Sequence, residues 1–261
     1  MLVPHPTRLT TSDGVRIAGL HWDSGERDVG CVVAHGFTGS SRVPEVQQIC
    51  RTLADQGYGV LAPDLRGHGL SAGRCTAGAL EVHDVAAAVD WLRARGYAQV
   101  AVLGWSMGGS AVLRFAGIDG HPDAVVSVSS PGRWFERGTR PMRIVHWLCE
   151  TRSGRLLLRL ARGTRIAVGS WADVPEPPCD VVGRIAPTPL LLVHGDADHY
   201  FPLAHVEIMQ AAAPSAEVWI EAGMRHAEAA TDADLVERIA AWLRAALCAD
   251  ATAVRADPAH G

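Results

Sequence analysis

The stretch from Ala98 to Gly120 constrains the fold of this chain more than any other. It opens on an apolar run, Val100, Val102 and Leu103, suited to a buried strand, turns abruptly, and leaves through small and apolar residues suited to a helix. At the turn stand Gly104, Trp105, Ser106, Met107 and Gly108, a G-x-S-x-G pattern followed by a further glycine. A sharp strand-to-helix turn holds its serine in a strained conformation, and side chains at the flanking positions would collide with it, so glycine is required there. Ser106 is therefore expected to project from the end of a sheet beside a helix N-terminus.

The rest of the chain alternates in the same way. Residues Arg8 to Thr11 and Val15 to Trp22 flank Ser12-Asp13-Gly14 and read as a hairpin, with Asp-Gly supplying the positive φ of the turn. Val29 to Ala34 is a continuous apolar strand, of the kind a sheet covered on both faces requires. Helices are expected at about Pro44 to Gln56, closed by Gly57, and at Leu80 to Arg95, closed by Gly96, with a short strand at Val60 to Ala62 between them. After the Ser106 unit come a strand at Ala124 to Val128 and, beyond an interruption, a strand at Leu190 to Val193. A helix near Leu203 to Ala213, a strand at Glu217 to Ile220 and a helix at Ala233 to Leu247 follow. Alternating strands and helices predict a parallel sheet with helices on both faces, whose ligands bind at the carboxyl ends of the strands. From about Pro131 to Pro187 the alternation stops in favour of a segment rich in Arg, Trp and Leu, which reads as a cap inserted between two core strands.

Four motifs fall at strand ends, in order: HGFTGS at His35 to Ser40, DLRGHGLS at Asp64 to Ser71, GWSMGG at Gly104 to Gly109 and HGDADHYFP at His194 to Pro202; His226 then follows. On these residues the sequence resembles the α/β-hydrolase superfamily, in pattern closest to its small esterase and monoacylglycerol-lipase-like members, from about Asp13 to about Leu247. The resemblance implies an α/β fold with a mostly parallel, doubly wound, eight-stranded sheet and an inserted helical cap. Residues 1–130 and 188–248 would form the core and 131–187 the cap, and 249–261 are expected to be a disordered tail.

The chemistry follows from the same residues. A serine hydroxyl is a weak nucleophile at neutral pH and needs a base, which in turn needs a third group to fix its tautomer and offset its charge. The superfamily's chain order is serine, acid, histidine. Ser106, Asp198 and His226 obey it, with Asp196, two residues earlier, as the competing acid. By the same resemblance the oxyanion donors are the N–H groups of Phe37 and Met107, leaving both side chains to line a pocket. The family's glycine before the histidine is here Arg225, a candidate for binding an acidic substrate group, and Trp105, Trp134 and Trp147 are further candidates for contact with substrate. Asp64 and His68, and likewise His35 and His194, read as pins for glycine-rich loops. The sequence contains no H-E-x-x-H or comparable ligand set, so neither metal nor cofactor is expected.

Composition narrows the partners. A net charge of −4 argues against general nucleic-acid binding, and no apolar run is long enough to span a membrane. All 24 basic residues are arginine, which excludes a Schiff-base lysine and a phosphate-binding G-K-[ST] loop. Six scattered cysteines and an N-terminus without a signal pattern point to a reducing, cytoplasmic setting. The charge is nevertheless uneven, with nine arginines against two acids between Pro131 and Ser170. Arg152, Arg155, Arg159 and Arg162 recur on one helical face, and Leu156, Leu157, Leu160 and Ala161 fall largely on the other. Two readings stay open: a solvated arginine face with leucines packed on the core, or a basic surface that guides anionic substrates, acidic lipid surfaces or an acidic partner. The expected activity is cleavage of a small-molecule carboxylic ester through an acyl-enzyme. A thioesterase, an amidase or peptidase, and a carbon–carbon bond hydrolase could use the same residues, and a binding protein that has lost the chemistry is the reading from another class.

Overall fold

The structure, a computed structural model, describes residues 2–118, 120–169, 171 and 173–256. Its strands are β1 (His5–Thr10), β2 (Arg16–Trp22), β3 (Val29–Ala34), β4 (Gly59–Pro63), β5 (Gln99–Trp105), β6 (Ala124–Val128), β7 (Leu190–Gly195) and β8 (Glu217–Glu221). The helices are α1 (Pro44–Asp55), α2 (Glu81–Arg93), α3 (Met107–Ile118), α4 (Arg140–Glu150), α5 (Arg152–Arg162), α6 (Pro178–Val181), α7 (Ala204–Ala212) and α8 (Ala233–Ala256). The strands form one eight-stranded sheet in the order β1-β2-β4-β3-β5-β6-β7-β8. β2 runs antiparallel to β1 and β4, and every other neighbouring pair is parallel. The hairpin turns at Gly14, whose φ of +81° an L side chain would resist.

Strand order reverses at β3, which lies between β4 and β5. The chain leaves β3 toward one edge of the sheet and returns past it to β5, so the loops after β3 and β5 open a crevice between them. The register sets Ala34 opposite Gly104, which brings the His35-Gly36-Phe37 loop beside Ser106.

The continuous apolar strands place alternate residues on opposite faces. Val32 and Ala34 of β3 and Val102 of β5 pack under Val85, Val89 and Leu92 of α2 and Ala111 and Val112 of α3. Cys31 and Val33, with Leu103, pack instead under Val46, Ile49 and Leu53 of α1 and Ile239 and Leu243 of α8. Each face of the central strands is thus covered by helix, which is why these strands carry no polar alternation.

Between β6 and β7 the chain builds α4 and α5 over the sheet's carboxyl end. Thr139 and Thr151 cap them, their hydroxyls accepting the N–H groups of Met142 and Gly154, and Gly163 closes α5 at φ +68°. Beyond α5 the strand-like segment 165–167 pairs with the loop before α2. Arg165 N–H donates to Gly67 O, Cys75 N–H to Arg165 O and Ala167 N–H to Cys75 O. The sequence sets the end of the inserted segment at Pro187. The chain rejoins the layer under the sheet earlier, at α6, because Val181 and Val182 are apolar enough to bury fully against α3.

Two further expectations change. Leu156, Leu157 and Leu160 do not pack on the core and are 56%, 50% and 76% exposed. α5 is held instead by Leu158 and Gly154, the only residues it buries, and Gly154 is where α5 meets the end of α4. The last helix does not stop at Leu247 but runs to Ala256, since the segment after it is alanine-rich and holds neither Gly nor Pro before Pro258. The remainder of the tail expected to be disordered, 257–261, lies outside the described residues.

Candidate active site

Ser106 is the single residue between β5 and α3. Its φ is +52°, a region that non-glycine residues rarely occupy. The turn is held by Ser106 N–H to Val128 O at 2.8 Å and by Ser110 N–H to Ser106 O at 3.1 Å. The flanking glycines are required by close approach: a Cβ on Gly104 would stand 2.3 Å from Gly108 O, and one on Gly108 would stand 2.1 Å from Ala34 O.

The loops after β7 and β8 bring two side chains to this serine. His226 Nε2 lies 2.9 Å from Ser106 Oγ, and its Nδ1 lies 2.8 Å from Asp198 Oδ2. A carboxylate only accepts, so Nδ1 carries the proton and Nε2 is left to accept from the serine hydroxyl. The other carboxylate oxygen of Asp198 accepts the N–H groups of Tyr200 and Phe201 at 2.8 and 3.1 Å. Burial alone would raise the Asp198 carboxyl; the hydrogen bond and charge of His226, with the two N–H donors, outweigh it and hold the group below its ordinary value. Tyr200 stacks on the His226 ring at 4.3 Å and Phe201 meets it edge-on at 5.5 Å, which fixes the imidazole plane. Asp196 is exposed and turns away, its carboxylate accepting Gly223 N–H at 2.6 Å.

The motif histidines and Asp64 fasten loops, as the sequence expects. His35 Nε2 accepts Leu65 N–H at 3.0 Å while its Nδ1 donates to Gly36 O at 2.8 Å. His68 Nε2 accepts Thr38 N–H at 3.3 Å, and burial holds both imidazoles below their ordinary values. Asp64 accepts from Ser41 N–H and Oγ, Arg42 and Leu70 N–H, tying the loop after β3 to the loop after β4. His194 Nε2 donates to Phe201 O at 2.8 Å and braces the loop that carries Asp198.

Ser106 opens into a cavity of about 1180 Å³ lined by the cap. Phe37, Met107, Trp134 and His226 line it. Trp105, Trp147 and Arg225 do not. Trp105 sits at the end of β5 with its indole on the opposite face of the sheet, fully buried and donating to Thr231 Oγ1 at 3.0 Å. Trp147 lies on the outer side of α4 and Arg225 is exposed on the loop before His226. Sequence reading missed Glu228. Its carboxyl faces the cavity and accepts Gly36 N–H at 2.5 Å, and a Cβ on Gly36 would touch both that carboxyl and Ser106 Cβ. Burial raises the Glu228 carboxyl above its ordinary value, opposed by the Gly36 N–H. The available signal was a glutamate two residues beyond His226, on the same short loop. Arg133, Arg140, Arg155 and Arg162 also line the cavity.

The family model described as serine aminopeptidase, S33 (Hydrolase_4) matches residues 25–172. The chain belongs to this family of the α/β-hydrolase superfamily and is a serine hydrolase of that fold. Solved structures agree on the fold. An esterase of Pyrococcus furiosus is similar with a TM-score of 0.72 and 22% identity, over 94% of this chain and 93% of its own. The α/β hydrolase GrgF of a Penicillium species gives 0.73 and 21% over 94% and 98%. Est1E of Butyrivibrio proteoclasticus, solved with ferulic acid bound, gives 0.64 and 18% over 92% and 99%. Among the described residues no helix is long and apolar enough to cross a membrane.

Proposed function

We propose that the protein hydrolyses carboxylic esters of small molecules through an acyl-enzyme, with Ser106 as nucleophile, His226 as base and then acid, and Asp198 as the group that orients His226. The observation that carries this reading is the unbroken chain from Ser106 Oγ through His226 Nε2 and Nδ1 to Asp198 Oδ2, at 2.9 and 2.8 Å, at the floor of the cavity. Ser106 Oγ attacks the acyl carbon as its proton passes to His226 Nε2, and the carbonyl oxygen becomes an oxyanion. The carbon–oxygen bond to the alcohol then breaks, His226 returns the proton to the departing alkoxide, and water repeats both steps on the acyl-serine.

The oxyanion falls to the N–H groups of Met107 and Phe37. Met107 opens α3, where helix geometry leaves its N–H without an intrahelical acceptor. In the loop after β3 the N–H groups of Gly36, Thr38 and Gly39 are committed to Glu228, His68 and Gly36 O, which leaves that of Phe37 for the cavity. Donors fixed in this way meet charge that develops only in the transition state, and losing one costs on the order of 3 kcal/mol. The ester reading also draws on the esterases among the structural neighbours.

A second reading, amide cleavage at a free amino terminus, draws on the family's description and on Glu228, a carboxyl beside Ser106 that could receive an ammonium group. Nitrophenyl esters of graded acyl length, assayed beside aminoacyl nitroanilides, separate the two. Ester turnover that vanishes in Ser106→Ala supports the proposal; turnover of the anilides alone replaces it with the second reading, and turnover retained by Ser106→Ala removes both.

A further inference from the structure

The outer surface of the cap is apolar and basic at once, in a pattern that ester chemistry at Ser106 does not require. Leu156 and Leu160 stand among the most exposed large apolar side chains of the molecule, with Leu157 beside them and Ile144 and Trp147 exposed on α4. On a helix of about 3.6 residues per turn, Leu156 and Leu160 lie on the side away from the buried Leu158 and Gly154, with Arg152 and Arg159 along one flank. None of Arg152, Leu156, Arg159 and Leu160 lines the cavity. Phe135, Ile144, Val168 and Val174, by contrast, are exposed and also line it, so its rim carries apolar side chains alongside the exposed Arg133, Arg140 and Arg162.

From this we infer that the cap docks on an anionic lipid surface, with α5 lying in the headgroup region, and takes a long-chain acyl ester directly from that surface. A helix with leucines on one side and arginines beside them is suited to this position: the leucines enter the acyl boundary and the guanidinium groups meet anionic headgroups. Charge selects this occupant over a second copy of the chain, because a two-fold contact through the same face would bring its arginine row into the interface twice, and α5 has no acidic side chain to meet it. The apolar side chains of the rim complete the route. An acyl chain drawn from the surface passes Phe135, Ile144 and Val168 without crossing water, toward Ser106 at the cavity floor. The substrate half of this inference rests on the ester-hydrolase proposal; the docking half does not.

The test is sedimentation of the full-length protein with sucrose-loaded vesicles of phosphatidylcholine alone or with phosphatidylglycerol. Alongside it runs hydrolysis of a water-soluble nitrophenyl acetate and of a vesicle-borne long-chain nitrophenyl ester. Binding to the anionic vesicles only, weakened by salt, is expected. Arg152→Gln with Arg159→Gln should lower the vesicle partition coefficient about thirtyfold, at about 1 kcal/mol per arginine near such a surface. Leu156→Gln with Leu160→Gln should lower it at least about tenfold. Both pairs should slow hydrolysis of the vesicle-borne ester and leave that of the acetate unchanged. Equal binding to neutral vesicles, or no binding to anionic ones, overturns the inference. So does a concentration-dependent dimer that the leucine pair abolishes while lipid binding is absent. Lipid binding without hydrolysis of either ester sustains the docking and removes the ester proposal.

Discussion

Replacing Asp198 by Asn tests the orienting carboxylate, because the structure dictates which way the amide must face. One oxygen of Asp198 accepts two backbone N–H groups, from Tyr200 at 2.8 Å and Phe201 at 3.1 Å. An asparagine must place its carbonyl oxygen there, since its NH₂ group would oppose two fixed donors. The NH₂ then faces His226 Nδ1 from the position of Oδ2, now 2.8 Å away, and donates where the carboxylate accepted. His226 answers by carrying its proton on Nε2, which points at Ser106 Oγ and can no longer receive the serine proton. The serine is left without a base at neutral pH. In the best-studied triad of this kind the same exchange costs about 10⁴ in kcat, equivalent to about 5.5 kcal/mol of barrier. Asp196→Asn should change kcat/KM by less than about threefold, since a surface change away from the chemistry moves the free energy by only about 0.5 kcal/mol. The assay is kcat/KM on a short nitrophenyl ester with thermal unfolding of both variants. A loss below tenfold in Asp198→Asn, or a larger loss in Asp196→Asn than in Asp198→Asn, would refute the assignment.

Three further outcomes are expected. Gly108→Val puts a side chain where a Cβ alone would stand 2.1 Å from Ala34 O; overpacking of about 1–3 kcal/mol or more should lower Tm by several degrees and remove activity, and an unchanged Tm contradicts the packing argument. Glu228→Gln should become progressively more stable than the parent as pH rises above 4.5. The folded state raises this carboxyl, so its contribution is full below the ordinary value and is lost as pH climbs through the raised one; a Tm difference that does not vary with pH would contradict this. Arg140→Gln with Arg162→Gln should lower kcat/KM for an anionic ester at low salt and leave a neutral ester alone, because these arginines line the cavity and neither forms an ion pair among the described residues, the cavity's Glu136 and Glu150 being engaged by His205, Arg137 and His146. Arg155 is the poorer choice, since its guanidinium also holds Cys149 O and Glu150 O at the end of α4.

Legibility in the sequence followed how locally each feature is determined. The strands β3, β6, β7 and β8 are predicted to within a residue or two because apolar runs bounded by turn residues admit little else. The elbow at Ser106 is legible for the same reason: Gly104 and Gly108 are demanded by backbone contacts four residues apart or one strand over. Side-chain direction is less local. Trp105 adjoins Ser106 in sequence yet, as the last residue of β5, faces the other side of the sheet, and only the closing of the Thr231 loop over it decides its partner. The cap was least legible. Its helical spacing predicts α5 correctly, but spacing cannot say which side of a helix meets the protein when Leu158 and Gly154 are all that it buries. Glu228 shows the remaining limit: its importance comes from Gly36, distant by 192 positions along the chain.

Ser106 is proposed as the nucleophile of a hydrolase. Labelling the intact protein with a fluorophosphonate and mapping the adduct by peptide mass spectrometry tests it most directly, since the reagent bonds covalently only to a serine that a base has activated. One adduct is expected, on the peptide that carries Ser106, formed faster than in Asp198→Asn and absent in His226→Ala. A folded protein that takes no label, or takes it on another serine while Ser106 stays unmodified, would contradict it.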